Sequence, residues 1–197
     1  MMTTNEKRYN QERDTTMCGD PKTWFPMRVT YQREMKVKAE LDRLEIENFV
    51  PMTYKLVDAD TDCPHRELVP AINNLIFVRS SQERISRLKT LDEVLEPLRY
   101  MMDHTAQKAH TIMTVPDGKM HNFMRVASKT DNSVMFLDEE TVVGKEGKRV
   151  EIMGGAFEGV KGVIRRVKRC KRVVVEIEGV ASVAIAFVPA GLLKEIG

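Results

Sequence analysis

The chain has 197 residues, of which 42% are apolar and 30% charged, and its formal net charge is +2. This composition is typical of one large or two small globular domains, and no apolar run approaches the roughly 18 residues that suggest a membrane-spanning helix. The polar N-terminus lacks the apolar centre of a secretory signal, and the three cysteines are widely spaced, which disfavours a disulfide scaffold and predicts a cytoplasmic protein.

Residues 1–22 contain few apolar side chains and show no periodicity, so we expect a disordered tail. The next segments alternate between strand-like and helix-like patterns. We predict a strand, a helix, two strands, a second helix, a strand and a third helix over residues 24–30, 33–47, 49–57, 68–78, 81–91, 98–102 and 116–127. This order predicts an α/β sandwich over residues 23–127, with a mainly antiparallel sheet and helices packed against it.

The three predicted helices have recognisable apolar faces or first residues. Val37, Leu41 and Leu44 follow the i, i+4, i+7 spacing of an amphipathic helix. Ser81 is a good N-cap residue for the second helix. Pro116 suits the start of the third helix, where its missing N–H costs nothing.

The C-terminal part of the chain shows a different pattern. Residues 128–146 are mostly polar or charged, and we predict that they form a linker. Five short alternating strands follow, at 148–153, 162–167, 172–177, 182–188 and near Leu192. Strands this short and close together predict a five-stranded SH3-like β-barrel over residues 147–197. The predicted fold class is therefore α+β, with two domains.

The start of the predicted barrel is rich in glycine. Gly155 and Gly162 lie where the strands bend, and glycine there permits positive φ and close approach of the backbone. Phe157 is the one large apolar residue of the turn, placed to plug the end of the barrel.

Positive charge is concentrated in the same region. Residues 147–197 hold ten Lys and Arg against five Asp and Glu, a net charge of +5, whereas residues 1–146 carry −3. Six of the eight residues from 165 to 172 are basic: Arg165, Arg166, Lys168, Arg169, Lys171 and Arg172. A concentrated basic tip is typical of nucleic-acid binding, but charged side chains also protect exposed strand ends, and both readings stay open.

The sequence offers no catalytic or metal-binding motif. His65, His104, His110 and His121 do not pair at i, i+4 on a clear helix, and Cys63 lies in a predicted loop. No nucleophile motif or phosphate-binding loop is present. We therefore expect no enzyme activity, no metal and no cofactor.

Several segments carry a family resemblance. Residues 147–164 resemble the KOW motif, with Gly162 at its near-invariant glycine. Trp24-Phe25, Phe49-Val50-Pro51 and residues 73–78 resemble segments of the NGN domain, with Asn73 at a usual proline. In this order and spacing, over about residues 23–197, they resemble the NusG family of transcription elongation and antitermination factors.

The resemblance implies a fold and a partner. The family has an N-terminal NGN domain and a C-terminal KOW barrel. Its NGN domain offers an apolar depression to a coiled coil on the β′ subunit of RNA polymerase and keeps the clamp closed, which suppresses pausing and termination without catalysis. The residues that match the depression here are Leu75, Phe77, Leu98 and Tyr100.

The family also touches nucleic acid. The start of the first NGN helix contacts the non-template DNA strand, and the matching residues are Gln32, Arg33 and Lys36. The alternative interpretation is that these three residues only form the solvent-exposed face of the helix. If the basic run at 165–172 binds nucleic acid, non-template DNA and nascent RNA are both candidate partners. The main alternative function is a ribosome-associated or other RNA-binding KOW protein.

One departure from the family pattern concerns the tip of the barrel. The housekeeping factor uses a Phe-Gly-Arg tip to contact Rho and a ribosomal protein, whereas this chain has Glu178-Gly179-Val180. Without the aromatic and cationic anchors that usually dominate such an interface, we expect no contact of that kind. The departure indicates a specialised paralogue of the RfaH or UpxY kind, with UpxY proteins acting on capsular polysaccharide operons. We expect a monomer.

Some family members refold the KOW domain into a helical hairpin. Here the β-branched run Val173-Val174-Val175 favours strand, and Gly179 would cost about 1 kcal/mol in a helix. We therefore predict that the C-terminal domain stays β.

Overall fold

The computed structural model describes residues 21–58, 63–103, 111–138, 142–143 and 147–197. Almost the whole predicted tail lies outside the described residues, and so do His104 and His110. In the described part, no helix is both long enough and apolar enough to cross a membrane.

The described residues form thirteen strands and three α-helices. In chain order these are β1 Thr23–Val29, α1 Glu34–Arg43, β2 Asn48–Phe49, β3 Met52–Val57, β4 His65–Pro70, β5 Leu75–Ser80, α2 Gln82–Leu91, β6 Leu98–Tyr100, α3 Asp117–Ala127, β7 Val134–Leu137, β8 Val142–Val143, β9 Arg149–Ile152, β10 Lys161–Val167, β11 Cys170–Ile177, β12 Ala181–Ile185 and β13 Leu193–Glu195.

The N-terminal sheet has four strands in the order β2-β5-β1-β6, and each described pairing is antiparallel. One face of β1 presents Phe25, Met27 and Val29 to a buried cluster that includes residues of α1 and α2, which we call the helix core. The opposite face presents Trp24 to a larger cluster that includes α3. Alternation along the strands therefore buries both faces of this sheet, and the predicted antiparallel α/β arrangement is confirmed.

The larger cluster also contains residues from the C-terminal part of the chain, and we call it the shared core. Its N-terminal members include Leu75 and Phe77, α3 contributes Met120 and Phe123, and β11 contributes Val175. Helix α3 thus packs on both sheets.

Two of the predicted strands are each divided into two separate strands in the structure. The predicted strand 49–57 divides at Val50-Pro51 into β2 and β3, because proline cannot donate to a ladder and the chain there changes sheets. The predicted strand 68–78 divides before β5, where Asn74 has a left-handed φ of 61°. Strands β3 and β4 form a separate two-stranded hairpin.

Helix α1 ends at Arg43, four residues before the predicted end at residue 47. Glu45 has a φ of 53°, which turns the chain out of the helix. The Asn48 side chain donates to the Asp42 carboxylate at 2.7 Å and to the Ile46 carbonyl at 3.0 Å, which holds the turn. Ile46 is buried although it lies outside the helix. Helix α2 begins as predicted, with the Ser81 hydroxyl accepting from the Arg84 N–H at 3.3 Å.

The C-terminal sheet has the order β13-β9-β10-β11-β12-β7, with β8 beside β10. The five predicted strands are present as β9 to β13, and the segment is β as predicted. Strand β7 pairs with β12 although we predicted residues 128–146 as a linker. Among the described residues, no pairing closes this sheet, so the SH3-like barrel stays a prediction, as does the division at residues 127 and 147.

Candidate functional site

The structure does not bring the four residues predicted to bind polymerase onto one surface. Leu75 and Phe77 lie in the shared core, whereas Leu98 and Tyr100 lie in or against the helix core, on the opposite face of the sheet. The register explains this, because Leu75 is opposite Arg28 on β1 and Tyr100 is opposite Met27. Successive side chains of β1 point to opposite faces, so the predicted single depression is not formed.

The contacts of Tyr100 are all with neighbouring parts of the fold, and they indicate a structural role. Its hydroxyl donates to the Gln82 carbonyl at 3.1 Å, and its ring meets the ring of Phe25 edge-on with centroids 5.5 Å apart. The Lys89 ammonium lies 5.0 Å from the ring centroid. Burial raises the pKa of Tyr100, against the opposing effect of a hydrogen bond with Ser86. The contacts of Tyr100 with Gln82 and Lys89 attach α2 to β6.

The face that carries Leu75 and Phe77 is aromatic. The centroid of Phe77, which is fully buried, lies 5.7 Å from that of Phe123 on α3 and 6.4 Å from that of Phe49. The rings of Phe49 and Phe123 meet edge-on at 6.5 Å. Phe49 and Met124 are half-buried at the margin of this group.

Polar contacts fasten α3 to the C-terminal sheet. The Asn122 side chain accepts from the Lys161 N–H at 2.8 Å and donates to the Lys161 carbonyl, as a neighbouring strand would. The Arg125 guanidinium donates to the carbonyl of Glu158, and its Nη1 lies 3.2 Å from the position that a Cβ on Gly159 would occupy. We call these contacts the clasp. They hold the turn before β10 against α3.

The tip turn Glu178-Gly179-Val180 also lies at the junction between the N-terminal part of the chain and the C-terminal sheet. Val180 packs against the shared core, and a Cβ on Gly179 would lie 3.7 Å from the terminal methyl of Met113. A groove of about 480 Å³ runs beside the turn and is lined by polar and apolar residues that include Arg28, Met101 and Lys119. The junction is therefore packed in its centre and open at one side.

The structure places Gln32, Arg33 and Lys36 together at the start of α1, and all three are exposed. Gln32 has a left-handed φ of 52°, and so does Tyr31 directly before it, with a φ of 64°. The Tyr31 ring is 83% exposed, and the Arg33 guanidinium carbon lies 5.5 Å from its centroid. Our sequence analysis missed Tyr31; its only signal is an aromatic residue beside the predicted cluster.

The six basic residues at 165–172 divide into two groups. Arg166, Lys168, Arg169 and Lys171 are exposed around the β10–β11 turn. The side chain of Arg165 is only 12% exposed and forms a bidentate pair with Glu176, at 2.7 and 2.6 Å. Arg172, opposite Arg165 in the sheet, donates to the Ala186 carbonyl at 2.7 Å. Arg165 and Arg172 therefore stabilise the sheet, and only the first group faces solvent.

The glycines of the predicted KOW stretch have clear geometric roles. Gly155 has a φ of 84°. A Cβ on Gly162 would lie 2.7 Å from the Val174 carbonyl oxygen, so only glycine lets β10 approach β11 this closely. Phe157 is buried in the shared core.

No group of three or more His, Cys, Asp or Glu side chains that could bind a metal ion occurs in the described part of the chain. The exposed cluster at the start of α1 contains cationic and amide side chains and the exposed Tyr31 ring, and the β10–β11 turn contains cationic side chains.

A comparison with protein families identifies the N-terminal part of the chain. Residues 22–124 match the sequence profile of the family described as NusG, transcription termination factor nusG. The matched segment begins just before β1 and ends within α3. A comparison with curated proteins finds no match.

Proposed function

Because the chain belongs to the NusG family of non-enzymatic transcription factors, we propose that it binds elongating RNA polymerase, holds the clamp closed and suppresses pausing and termination. Proteins of this family bind RNA polymerase. A factor that binds the closed clamp more tightly than the open clamp shifts the population toward the closed state, and no bond needs to be made or broken.

The observation that carries this proposal is the aromatic face around Phe77. It lies within the segment that matches the family, and its three clustered phenylalanines supply the large buried area that apolar interfaces use. We propose that the coiled coil of the polymerase β′ subunit packs on this face, beside α3. Leu98 and Tyr100 are left out of the proposed contact because they lie on the other side of the sheet.

The same face is covered in this structure. The C-terminal sheet shares the core with Phe77 and Phe123 and is fastened to α3 by the clasp. We propose that polymerase binding releases this sheet. The contact with α3 is then an intramolecular competitor, which lowers the apparent affinity in proportion to the population of the covered state.

The tip turn supports a specialised role over a housekeeping one. Glu178-Gly179-Val180 lacks an aromatic or cationic anchor, and Val180 is engaged with the shared core. We propose an antiterminator of the RfaH or UpxY kind that acts on particular operons, such as those for capsular polysaccharide. It would act in the cytoplasm as a monomer, without contact of this tip with Rho or a ribosomal protein.

Nucleic acid is the second proposed partner. We propose that Gln32, Arg33 and Lys36, which are exposed at the start of α1, contact the non-template DNA strand. We also propose that the exposed Arg166 and Arg169 contact phosphates of DNA or nascent RNA. Replacing Arg166 and Arg169 with glutamate should weaken nucleic-acid binding equally for all sequences and flatten its salt dependence. If both hairpin residues only protect the strand ends, the same change leaves binding and its salt dependence unaltered.

The alternative of a ribosome-associated KOW protein explains the basic hairpin but not the family match. That match lies in the N-terminal part of the chain, which ribosomal KOW proteins lack. Co-elution of the purified chain with ribosomal subunits, and not with core polymerase, would favour this alternative.

A binding experiment tests the polymerase proposal. Phe77 is unsuitable for substitution because it is fully buried, so a charge there would unfold the protein. Met124 lies half-buried on α3 at the edge of the shared core, and Met124→Glu should weaken binding to core polymerase. His121→Glu, at an exposed position of the same helix, is the matched control and should bind as the wild type does. Equal affinities for the two variants would contradict the proposed face.

A further inference from the structure

The turn between β1 and α1 holds two consecutive non-glycine residues in the left-handed region, Tyr31 and Gln32. A bulky side chain at positive φ is uncommon, and each such residue costs about 1–3 kcal/mol of strain. Strain of this kind persists only where surrounding contacts impose it, and it clusters at functional sites. Tyr31 therefore needs an explanation that packing does not give, because its ring is almost wholly in solvent.

The contacts that impose this conformation come from Asn74 and Glu34. The Gln32 N–H donates to the Asn74 side-chain oxygen at 3.1 Å, and the Val29 N–H donates to the Asn74 carbonyl at 3.0 Å. The Asn74 N–H in turn donates to the carboxylate of Glu34, which is only 2% exposed. The backbone of the turn is thus anchored by a buried carboxylate, and the Tyr31 ring projects from this anchored backbone into solvent.

The surroundings of the ring suit a nucleotide. Arg33 lies against the ring, and exposed Lys36 follows one helical turn later. The one acidic residue from 30 to 36 is Glu34, which is turned inward. An exposed aromatic face beside cations is what proteins use to stack unpaired bases and hold the adjoining phosphates.

We propose that Tyr31 stacks on one unpaired base of a single-stranded nucleic acid, while Arg33 and Lys36 hold its phosphates. This inference rests on the proposed nucleic-acid contact at the start of α1, and it adds the residue that engages a base. Stacking on a ring tolerates every base, so Tyr31 contributes affinity and position, and only modest sequence preference.

The test uses the full chain and fluorescence anisotropy of labelled oligothymidylate and oligouridylate, titrated over a range of salt concentrations. Tyr31→Ala should weaken binding about 5- to 150-fold, the range for loss of one stacked base, without changing the salt dependence. Tyr31→Phe keeps the ring and should bind within about twofold of the wild type. Arg33→Gln should instead reduce the salt slope by about one. The oligonucleotide that shows the Tyr31 dependence identifies the strand as DNA or RNA.

Two further variants separate stacking from folding. Tyr31→Gly accepts positive φ without strain, so it should keep the unfolding midpoint while losing affinity. Phe187→Ala removes a comparably exposed ring, 79% exposed, from another part of the chain, and should bind as the wild type does. An oligonucleotide carrying 2-aminopurine should lose fluorescence on binding the wild type but not Tyr31→Ala, because stacking quenches it.

Wild-type affinity and wild-type quenching in Tyr31→Ala would overturn the inference, and so would failure of the wild type to bind either oligonucleotide. If Arg33→Gln alone weakens binding, the stacking role is wrong while the phosphate contact stands. Binding of core polymerase by Tyr31→Ala is measured in parallel, because it depends on a different face and tests the proposed function separately.

Discussion

Replacing Asn122 with alanine should make the protein bind polymerase more tightly, because it removes two of the three hydrogen bonds of the clasp. Asn122 exchanges two hydrogen bonds with the backbone of Lys161. Each neutral hydrogen bond contributes about 0.5–1.5 kcal/mol net, so the loss is about 1–3 kcal/mol of the contact between α3 and the C-terminal sheet. Lys161 is exposed, so water satisfies its freed backbone groups and no further penalty arises.

This loss shifts the ratio of covered to uncovered molecules by about 5- to 150-fold. While the covered state predominates, the apparent dissociation constant for polymerase should fall by a similar factor. The assay is titration of labelled protein with core polymerase, with small-angle scattering to report the larger radius of gyration of the uncovered state. His121→Ala, on the exposed side of the same helix, should change neither quantity.

The reasoning would be refuted if Asn122→Ala folded normally and bound polymerase no more tightly than His121→Ala. A larger radius of gyration with unchanged affinity would show that the C-terminal sheet moves but does not cover the polymerase-binding face. Asn122→Asp keeps the acceptor but sets a carboxylate oxygen against the Lys161 carbonyl oxygen, so it should also tighten polymerase binding.

Three other predictions concern the folded state. Phe123→Ala should destabilise the protein by about 3–5 kcal/mol in urea unfolding, because the ring is fully buried among two others. Gly162→Ala should cost about 1–3 kcal/mol or more, because its methyl group would lie 2.7 Å from a backbone carbonyl, and Gly191→Ala, which meets nothing within 4 Å, is the control. Burial acts to raise the pKa of Asp42, but hydrogen bonds from Asn48 and Lys38 lower it below its ordinary value. The ionised carboxylate therefore stabilises the folded state above a pH of about 4. This contribution is lost as the pH falls through the lowered pKa. Asp42→Asn should therefore unfold with a weaker acid dependence than the wild type, and an unchanged acid dependence would contradict the assigned shift.

Local patterns predicted where elements exist better than where they end. The Ser81 cap and the apolar spacing of α1 identified their helices. The end of α1 depends on Glu45 at positive φ and on the Asn48 side chain, a tertiary arrangement without a distinctive sequence pattern. Strand β7 lies in the predicted linker because its partner, β12, is distant in sequence, and pairing over such distances has no local signature.

The candidate site was predicted less well, for a physical reason. Residue type indicated that Leu75 and Leu98 are apolar strand residues, but the face that each occupies depends on strand register. Likewise, Arg165 and Arg166 look alike in a basic run, yet alternation turns one toward Glu176 and the other to solvent. Tyr31 was not among the predicted residues, because what distinguishes it is a left-handed backbone conformation, which the sequence pattern does not show.

The most direct test of the central proposal is a transcription elongation assay in vitro, on a long template with Rho present. We expect the wild type to bind core polymerase, shorten pauses and raise readthrough, His121→Glu to do the same, and Met124→Glu to return readthrough toward the level without the factor. A well-folded wild-type chain that neither binds core polymerase nor changes readthrough would contradict the account.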